Sequence, residues 1–191
     1  KLTNWQLKKK IKGFVNAPVD KRIFGSKNIG VTEYLSNKNN VRNQEVMMIH
    51  NKQLSVVPIT THIEISKIKK KINKDLIMKK IVVLNKQYRS LFHKKPQIAL
   101  LGLNPHNDEN RKDSFENKII RPLIKKLRNK GVKISGPFPS DTIFMRKNRK
   151  NFNVIVGMYH DQVLGPFKAL YNFDAINITL GLKYIRTSPD H

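Results

Sequence analysis

The chain has 191 residues and a formal net charge of +25, from 38 lysine and arginine residues against 13 acidic ones. It contains no cysteine, which excludes a disulfide framework and a thiolate metal site. No apolar run approaches the roughly 18 residues of a membrane span, so we expect no membrane contact and a cytoplasmic location. The first residue is Lys1, and we expect the chain to belong to a longer protein.

The positive charge has more than one interpretation. Excess basic residues are typical of proteins that bind nucleic acid or another polyanion. Here they are spread along the whole chain, and isoleucine and asparagine are abundant too, which is the composition that an AT-rich coding sequence produces. We favour compositional drift, with attraction of a phosphorylated substrate as a second cause. A basic nucleic-acid-binding module remains an alternative, although specific nucleic-acid binding is not expected.

Hydrophobic patterning predicts strands that alternate with helices, which indicates an α/β fold. The predicted elements of the first half are a helix end over 5–13, a strand at 14–15, a helix from 31, a hairpin of 45–49 with 54–59, and one long amphipathic helix over 66–92. Those of the second half are strands at 98–103, 132–135, 154–158 and 176–180, with a helix over 118–129.

Three of these apolar runs lead into a histidine: His62, His106 and His160. A parallel sheet would bring all three imidazoles to its carboxyl edge, where open α/β sheets bind ligands. Imidazole is the commonest metal-binding side chain, and three histidines with one open position are typical of a catalytic metal. A single histidine at a strand end is usually only a hydrogen-bonded polar residue. The threefold recurrence therefore favours a metal site, at which the three rings should converge.

Several motifs carry a family resemblance, and they occur along nearly the whole chain: GLNPH at 102–106, GPFP at 136–139 with Asp141-Thr142, MYHDQ at 158–162, PFK at 166–168, 177–182 and 185–191. In these motifs the chain resembles the 4-hydroxythreonine-4-phosphate dehydrogenase family. The resemblance implies an isocitrate/isopropylmalate dehydrogenase-like fold, with two α/β lobes, the active site in the cleft between them, and a homodimer. Residues 1–191 would be one partial region with central parts of both interleaved lobes and no assigned boundary.

The implied activity is oxidation of 4-phosphohydroxy-L-threonine by NAD or NADP, with one divalent metal ion (Zn, Mg or Co). The β-keto acid product would decarboxylate to 3-amino-2-oxopropyl phosphate, a step of pyridoxine 5'-phosphate biosynthesis. The metal would act as a Lewis acid on the substrate hydroxyl. Alternatives are a homologue that acts on another hydroxy acid and one with impaired activity.

The resemblance also implies site residues, which are the positions of this chain that match the functional residues of the family's motifs. The implied metal ligands are His62, His106 and His160; the implied substrate contacts are Thr32, Lys168, Asn177 and Arg186; and Asp190 with His191 begins the stretch that resembles a nucleotide loop. Arg186 offers a bidentate fork for phosphate or carboxylate, and Lys168 offers a point charge that also makes it a catalytic candidate.

Two aspartates complete the set of catalytic candidates. Asp161 adjoins a predicted metal ligand and would orient an imidazole, unless it caps a helix. Asp141 follows a proline-rich loop and would relay a proton, or else cap a helix before Thr142. The chain departs from the family at Val31, where the family has histidine, and at 107–111, where the family loop is rich in glycine.

Overall fold

A computed structural model describes residues 12–17, 19–20, 31–39 and 45–190. Most of the helix predicted over 5–13 lies outside these residues, and Gly13 begins a strand. The strands are β1 Gly13–Val15, β2 Val46–His50, β3 Ser55–Pro58, β4 Ile98–Leu101, β5 Ile134–Phe138, β6 Val154–Gly157, β7 Ile176–Leu180 and β8 Ile185–Pro189. The helices are α1 Val31–Lys38, α2 Ile65–Lys71, α3 Lys74–Phe92, α4 Arg121–Asn129, α5 Ser140–Ile143, α6 Arg146–Arg149 and α7 His160–Tyr171.

The described residues form a mixed α/β fold around one eight-stranded sheet, in the order β1-β8-β7-β2-β3-β6-β4-β5. Strands β3, β6, β4 and β5 run parallel to one another. The predicted hairpin is confirmed, because β2 and β3 pair antiparallel, with His50 opposite Ser55. None of the described helices is both long and apolar enough to cross a membrane.

The three central parallel strands are buried along their full length. Successive side chains of a strand point to opposite faces of the sheet. Val57, Leu100 and Val156 therefore join the cluster under α3 and α4, whereas Val56, Leu101 and Ile155 join the cluster under α7. Burial on both faces explains why these strands have continuous rather than alternating apolar sequences.

The prediction of one helix over 66–92 is wrong at a single point. Ile72 is extended (φ −79°, ψ 124°), and α3 starts afresh after Asn73, whose side chain accepts a hydrogen bond from the Leu76 backbone N–H. This asparagine satisfies a free N–H at the helix start, which stabilises a new helix. The break lets Ile72 pack into the core beside Ile68 and Ile77.

The second helix boundary also differs from the prediction. A turn of π-helix, Glu116–Ile120, precedes α4, and it begins two residues earlier than the predicted start at 118. Strand β5 reaches Phe138, three residues beyond the predicted end, and it pairs with β4 across a register shift. Both changes concern the segments that flank the loop after β4.

His50, at the end of β2, should make stability depend on pH. Burial lowers the pKa of its imidazole below the ordinary 6.5, and the charge of Lys94 lowers it further. The ring lies 4.6 Å from Phe92, and its Nδ1 lies 2.8 Å from the Ser55 hydroxyl. A lowered pKa favours the neutral imidazole in the folded state. The contribution of the neutral ring to the free energy of unfolding is therefore present above pH 6.5, and it is lost as the pH falls through the folded-state pKa.

We therefore expect the free energy of unfolding to fall as the pH is lowered from about 7 to about 5, the range in which histidine titrates. His50→Gln keeps a polar partner for Ser55 but does not titrate, so its stability should depend less on pH. Urea unfolding of both proteins across this range measures the two slopes. Identical slopes would contradict the assignment to His50.

Candidate functional site

The three histidine-bearing strands are neighbours in the sheet. β6 lies between β3 and β4, and all three are parallel, with Ser55 and Ile98 both in register with Val154. The segments that follow them therefore leave the sheet at the same carboxyl edge. This confirms the predicted strand arrangement, and we call this region the histidine edge: His62, His106 and His160 with Asp141 and Asp161.

Two of the three imidazoles lie close together. The ring centroids of His62 and His160 are 5.9 Å apart. His160 is the first residue of α7, and its Nδ1 lies 2.6 Å from the Asp161 carboxylate. A carboxylate that holds one ring nitrogen fixes the tautomer and leaves the other nitrogen for a ligand. Asp161 lies in the first turn of α7, whose N-cap is Tyr159, so the alternative role as N-cap is wrong.

The third imidazole lies beside Asp141. His106 Nδ1 is 3.9 Å from Asp141 Oδ2, which is too long for a hydrogen bond, and both side chains are largely exposed. Asp141 occupies the first turn of α5, whose N-cap is Pro139, so its expected alternative as a cap is also wrong.

The metal site itself stays a prediction. Among the described residues, no three His, Cys, Asp or Glu side chains are grouped closely enough to hold a metal ion. His106 follows its strand by five residues and belongs to an irregular loop, whereas His160 follows almost directly after β6. The donor types nevertheless fit a divalent transition metal, since all three are imidazoles on one edge of the sheet. His62 and His160 form the adjacent pair.

The loop that carries His106 is left-handed. Residues 106–110 all have positive φ, between 48° and 60°. Asparagine and aspartate tolerate this conformation better than other residues with a side chain, and glycine adopts it without strain. The glycine-rich loop that the resemblance implies at this position is thus the sequence that this backbone favours.

Contacts from the following segment hold the loop in place. The Asn117 side chain donates hydrogen bonds to the backbone carbonyls of Asn110 and Arg111, at 2.8 and 2.7 Å. Arg111 pairs with Asp108 at 2.6 Å, and this hydrogen bond raises the pKa of the guanidinium. Strained backbone persists only where the surrounding structure fixes it, and these contacts supply that restraint.

Glu109 (φ 48°, exposed) is the residue least suited to this loop. Each left-handed residue with a Cβ costs roughly 1–2 kcal/mol, and glycine loses roughly 0.5–1 kcal/mol in backbone entropy. The free energy of unfolding of Glu109→Gly should therefore be about 1 kcal/mol higher than that of the matched control, Glu109→Ala. Both variants lose the same carboxylate, so chemical denaturation of the pair isolates the backbone effect. Equal stability would show that the loop is not left-handed in solution.

A second group of predicted residues lies in the last turn of α7, on β7 and just after β8. The Lys168 ammonium lies 3.3 Å from Asp190 Oδ2 and 4.9 Å from the centre of the Phe173 ring. The Asp190 side chain is only 2% exposed, so it serves Lys168 and offers little surface to a cofactor. The Asn177 side-chain oxygen is buried and accepts no hydrogen bond from any described residue. We call these residues the lysine group: Lys168, Asn177 and Asp190.

Arg186 is built into the sheet. Its side chain is buried, donating to Asn16 Oδ1 at 2.7 Å and to Thr179 Oγ1 at 3.0 Å. Thr32 lies on α1, but its side chain, like the whole of His191, is outside the described residues. Val31 is half-buried and packs against the small cluster around Leu35.

The histidine edge and the lysine group are separated within one copy of the chain. Lys168 follows His160 by eight residues in the same helix, a rise of about 12 Å at 1.5 Å per residue. Asn177 lies on β7, three strands from β6, which is about 14 Å at 4.7–4.9 Å per strand. The structure therefore places His160 and Lys168 at opposite ends of α7, and Asn177 on a strand that is not adjacent to β6.

Comparison with known proteins agrees with this fold and with the motifs. The chain is 40% identical over 190 residues to a 4-hydroxythreonine-4-phosphate dehydrogenase of Sulfurihydrogenibium sp., covering 97% of the chain and 58% of that protein. A protein of the same name from Bradyrhizobium diazoefficiens is 38% identical over 185 residues, covering 93% and 54%. The chain thus spans a little over half the length of these relatives.

Solved structures show the same similarity. A 4-hydroxythreonine-4-phosphate dehydrogenase from Klebsiella pneumoniae superimposes with a TM-score of 0.85 at 34% identity, over 99% of this chain and 59% of that one. A terephthalate 1,2-cis-dihydrodiol dehydrogenase from Burkholderia xenovorans shares the fold, with a TM-score of 0.80 at 18% identity. The family of pyridoxal phosphate biosynthetic protein PdxA matches residues 2–191, and the chain therefore belongs to that family.

Proposed function

We propose that the chain belongs to an enzyme that oxidises 4-phosphohydroxy-L-threonine with NAD or NADP, in pyridoxine 5'-phosphate biosynthesis. The β-keto acid product loses carbon dioxide to give 3-amino-2-oxopropyl phosphate. One observation carries the proposal: three adjacent parallel strands lead into three histidines at one edge of the sheet. Family membership and the names of the relatives support the substrate class.

His62, His106 and His160 would hold one divalent ion, zinc, magnesium or cobalt. When bound, the ion supplies Lewis-acid polarisation of the substrate hydroxyl. Asp161 keeps the His160 ring in one orientation through its hydrogen bond to Nδ1. Asp141, exposed beside His106, accepts a proton at Oδ2 and passes it to solvent.

The remaining polar groups bind the charged ends of the substrate. Lys168 supplies a point charge for phosphate, and the Asn177 amide hydrogen-bonds the substrate through its side-chain oxygen. Arg186 contacts the substrate carboxylate or phosphate, and Thr32 is a further substrate contact. Asp190 is a partner of Lys168 in the described residues, so the nicotinamide site must be formed mainly by other parts of the protein.

The working unit is a homodimer of isocitrate dehydrogenase-like subunits, each with two α/β lobes, in the cytoplasm. The separation of the histidine edge from the lysine group supports the dimer, because in a two-fold dimer the lysine group of one copy can meet the histidine edge of the other. Most soluble oligomers are symmetric homo-oligomers, and a two-fold axis completes both sites at once.

The test is an assay of the full-length protein with 4-phosphohydroxy-L-threonine, each nicotinamide cofactor and each metal, following formation of reduced nicotinamide. Turnover that disappears with a chelator and returns with metal would support the proposal. A second candidate, oxidation of another phosphorylated hydroxy acid, is favoured by Val31, which cannot hydrogen-bond a substrate. A higher kcat/KM for such a compound would select this candidate, and no turnover of any would contradict both.

A further inference from the structure

The peptide unit that joins Gly102 to Leu103 is held at both its polar atoms. Gly102 directly follows β4 and begins the segment that leads to His106. Its N–H donates to the Phe138 carbonyl at 3.0 Å, which ties it to β5. A Cβ at position 102 would collide with the Asn107 side-chain oxygen, so a larger residue there would displace the Asn107 side chain.

Glu116 holds the N–H side of this peptide. Its side chain is completely buried. Its Oε1 accepts hydrogen bonds from the backbone N–H groups of Leu103 and Asn104, at 2.8 and 2.9 Å. The Asn104 side-chain amide also donates to both carboxylate oxygens, at 3.3 and 3.2 Å. A carboxylate is costly to bury unless it is hydrogen-bonded in this way, so it fixes its donors firmly.

Gln162 holds the carbonyl side of the same peptide. Its buried amide donates from Nε2 to the Gly102 carbonyl at 2.8 Å, and its Oε1 accepts from the Met158 N–H at 2.7 Å. Gln162 lies two residues after His160 in α7. One side chain therefore links the end of β4 to the end of β6.

The same line of hydrogen bonds reaches the third strand. The Thr60 backbone N–H and hydroxyl both donate to the Met158 carbonyl, at 3.1 and 2.8 Å. Thr60 precedes His62 by two residues. A continuous buried chain, Thr60–Met158–Gln162–Gly102/Leu103–Glu116, thus crosses the ends of β3, β6 and β4 in turn.

We propose that Glu116 and Gln162 are positioning residues, which fix the backbone that leads to His106 by clamping the Gly102–Leu103 peptide. The inference deepens the proposed function and rests on it, because it concerns the same metal site. Neither residue needs to touch the metal or the substrate. Each acts through the backbone that carries a ligand, as hydrogen-bonded groups around metal sites commonly do.

Glu116→Gln is the first test, since it keeps the shape of the side chain but turns one acceptor into a donor that faces Asn104. Gln162→Met removes both hydrogen bonds to the strand ends, and Asn104→Ala removes only the side-chain donors to Glu116. The matched control is Ser55→Ala, because Ser55 is buried, hydrogen-bonds the His50 ring and is the first residue of β3, at the end of the sheet opposite the histidine edge. Asn104→Ala, in a half-buried loop, keeps the test decisive if the first variant fails to fold.

Calorimetric titration with Zn²⁺ alone measures the effect, with Tm recorded for every variant. Glu116→Gln and Gln162→Met should weaken Zn²⁺ binding about tenfold, the lower range for residues that support metal ligands, and Asn104→Ala by less. Hydrogen exchange of the Leu103 and Asn104 amides should accelerate in Glu116→Gln. Ser55→Ala should bind Zn²⁺ like the wild type, even where its Tm falls equally.

Three contrary outcomes are distinguishable. If the wild type binds Zn²⁺ and the three clamp variants bind it equally well, the positioning inference is overturned and the proposed function is not affected. If the wild type binds no Zn²⁺, Mg²⁺ or Co²⁺, the proposed metal site fails and the positioning inference fails with it. A loss of affinity that follows Tm in Ser55→Ala as well would reduce Glu116 and Gln162 to a general role in folding.

Discussion

Replacing His160 with alanine is expected to weaken Zn²⁺ binding by more than about 100-fold, because loss of a ligand should exceed the 10–100-fold effect of residues that merely support one. β6, which leads into His160, lies between the strands that lead into the other two histidines. The His160 ring is 5.9 Å from that of His62 and is already oriented by Asp161. Dehydrogenase activity should fall with the metal, as kcat/KM measured at saturating Zn²⁺ will show.

His93→Asn is the matched control for this loss of an imidazole. His93 is exposed, and it ends α3 in a left-handed conformation (φ 53°) that asparagine tolerates. This variant should bind Zn²⁺ and turn over substrate like the wild type. Normal Zn²⁺ affinity in His160→Ala, with an unchanged Tm, would remove His160 from the metal site.

Much of the central sheet was predictable because its determinants are local. Continuous apolar runs such as 154–158 are typical of strands buried on both faces, and the short polar turn after His50 indicates a hairpin. The placement of three histidines at one edge follows from parallel pairing alone. The short but continuously apolar strands therefore carried the most reliable information about the site.

The details of the site were not predictable, because they depend on contacts between segments far apart in sequence. The apolar pattern of 66–92 continues through Asn73, although this residue starts a second helix. Nothing in the residues around Glu116 indicates that its carboxylate will be buried against Leu103 and Asn104, thirteen and twelve residues away. Periodicity reports which face of an element is buried, and it does not report which distant group that face meets.

The separation of the histidine edge from the lysine group was also hidden in the sequence. Both groups lie in motifs of the same family, and motif order carries no information about distance. Lys168 follows His160 closely in sequence, yet a helix converts these eight residues into a rise of about 12 Å. The proposed homodimer rests on this separation, which only the topology reveals.

Mixing two inactive variants should therefore restore activity. His160→Ala damages every histidine edge, and Lys168→Ala damages every lysine group, so each homodimer alone should be nearly inactive. In a mixed dimer, one of the two shared sites combines an intact histidine edge with an intact lysine group. Random pairing makes half of the dimers mixed, and the expected recovery is about a quarter of wild-type activity for a two-fold dimer.

The control is a mixture of His160→Ala with His62→Ala. Both changes lie on the histidine edge, so every site of every mixed dimer keeps one defect and no recovery is expected. The measurement is kcat at saturating substrate after co-refolding, with mixed dimers isolated through two different affinity tags. Equal recovery in both mixtures would point to reversal of a folding defect rather than to shared sites. Isolated His160→Ala/Lys168→Ala mixed dimers without activity would show that a site does not combine the histidine edge of one copy with the lysine group of the other.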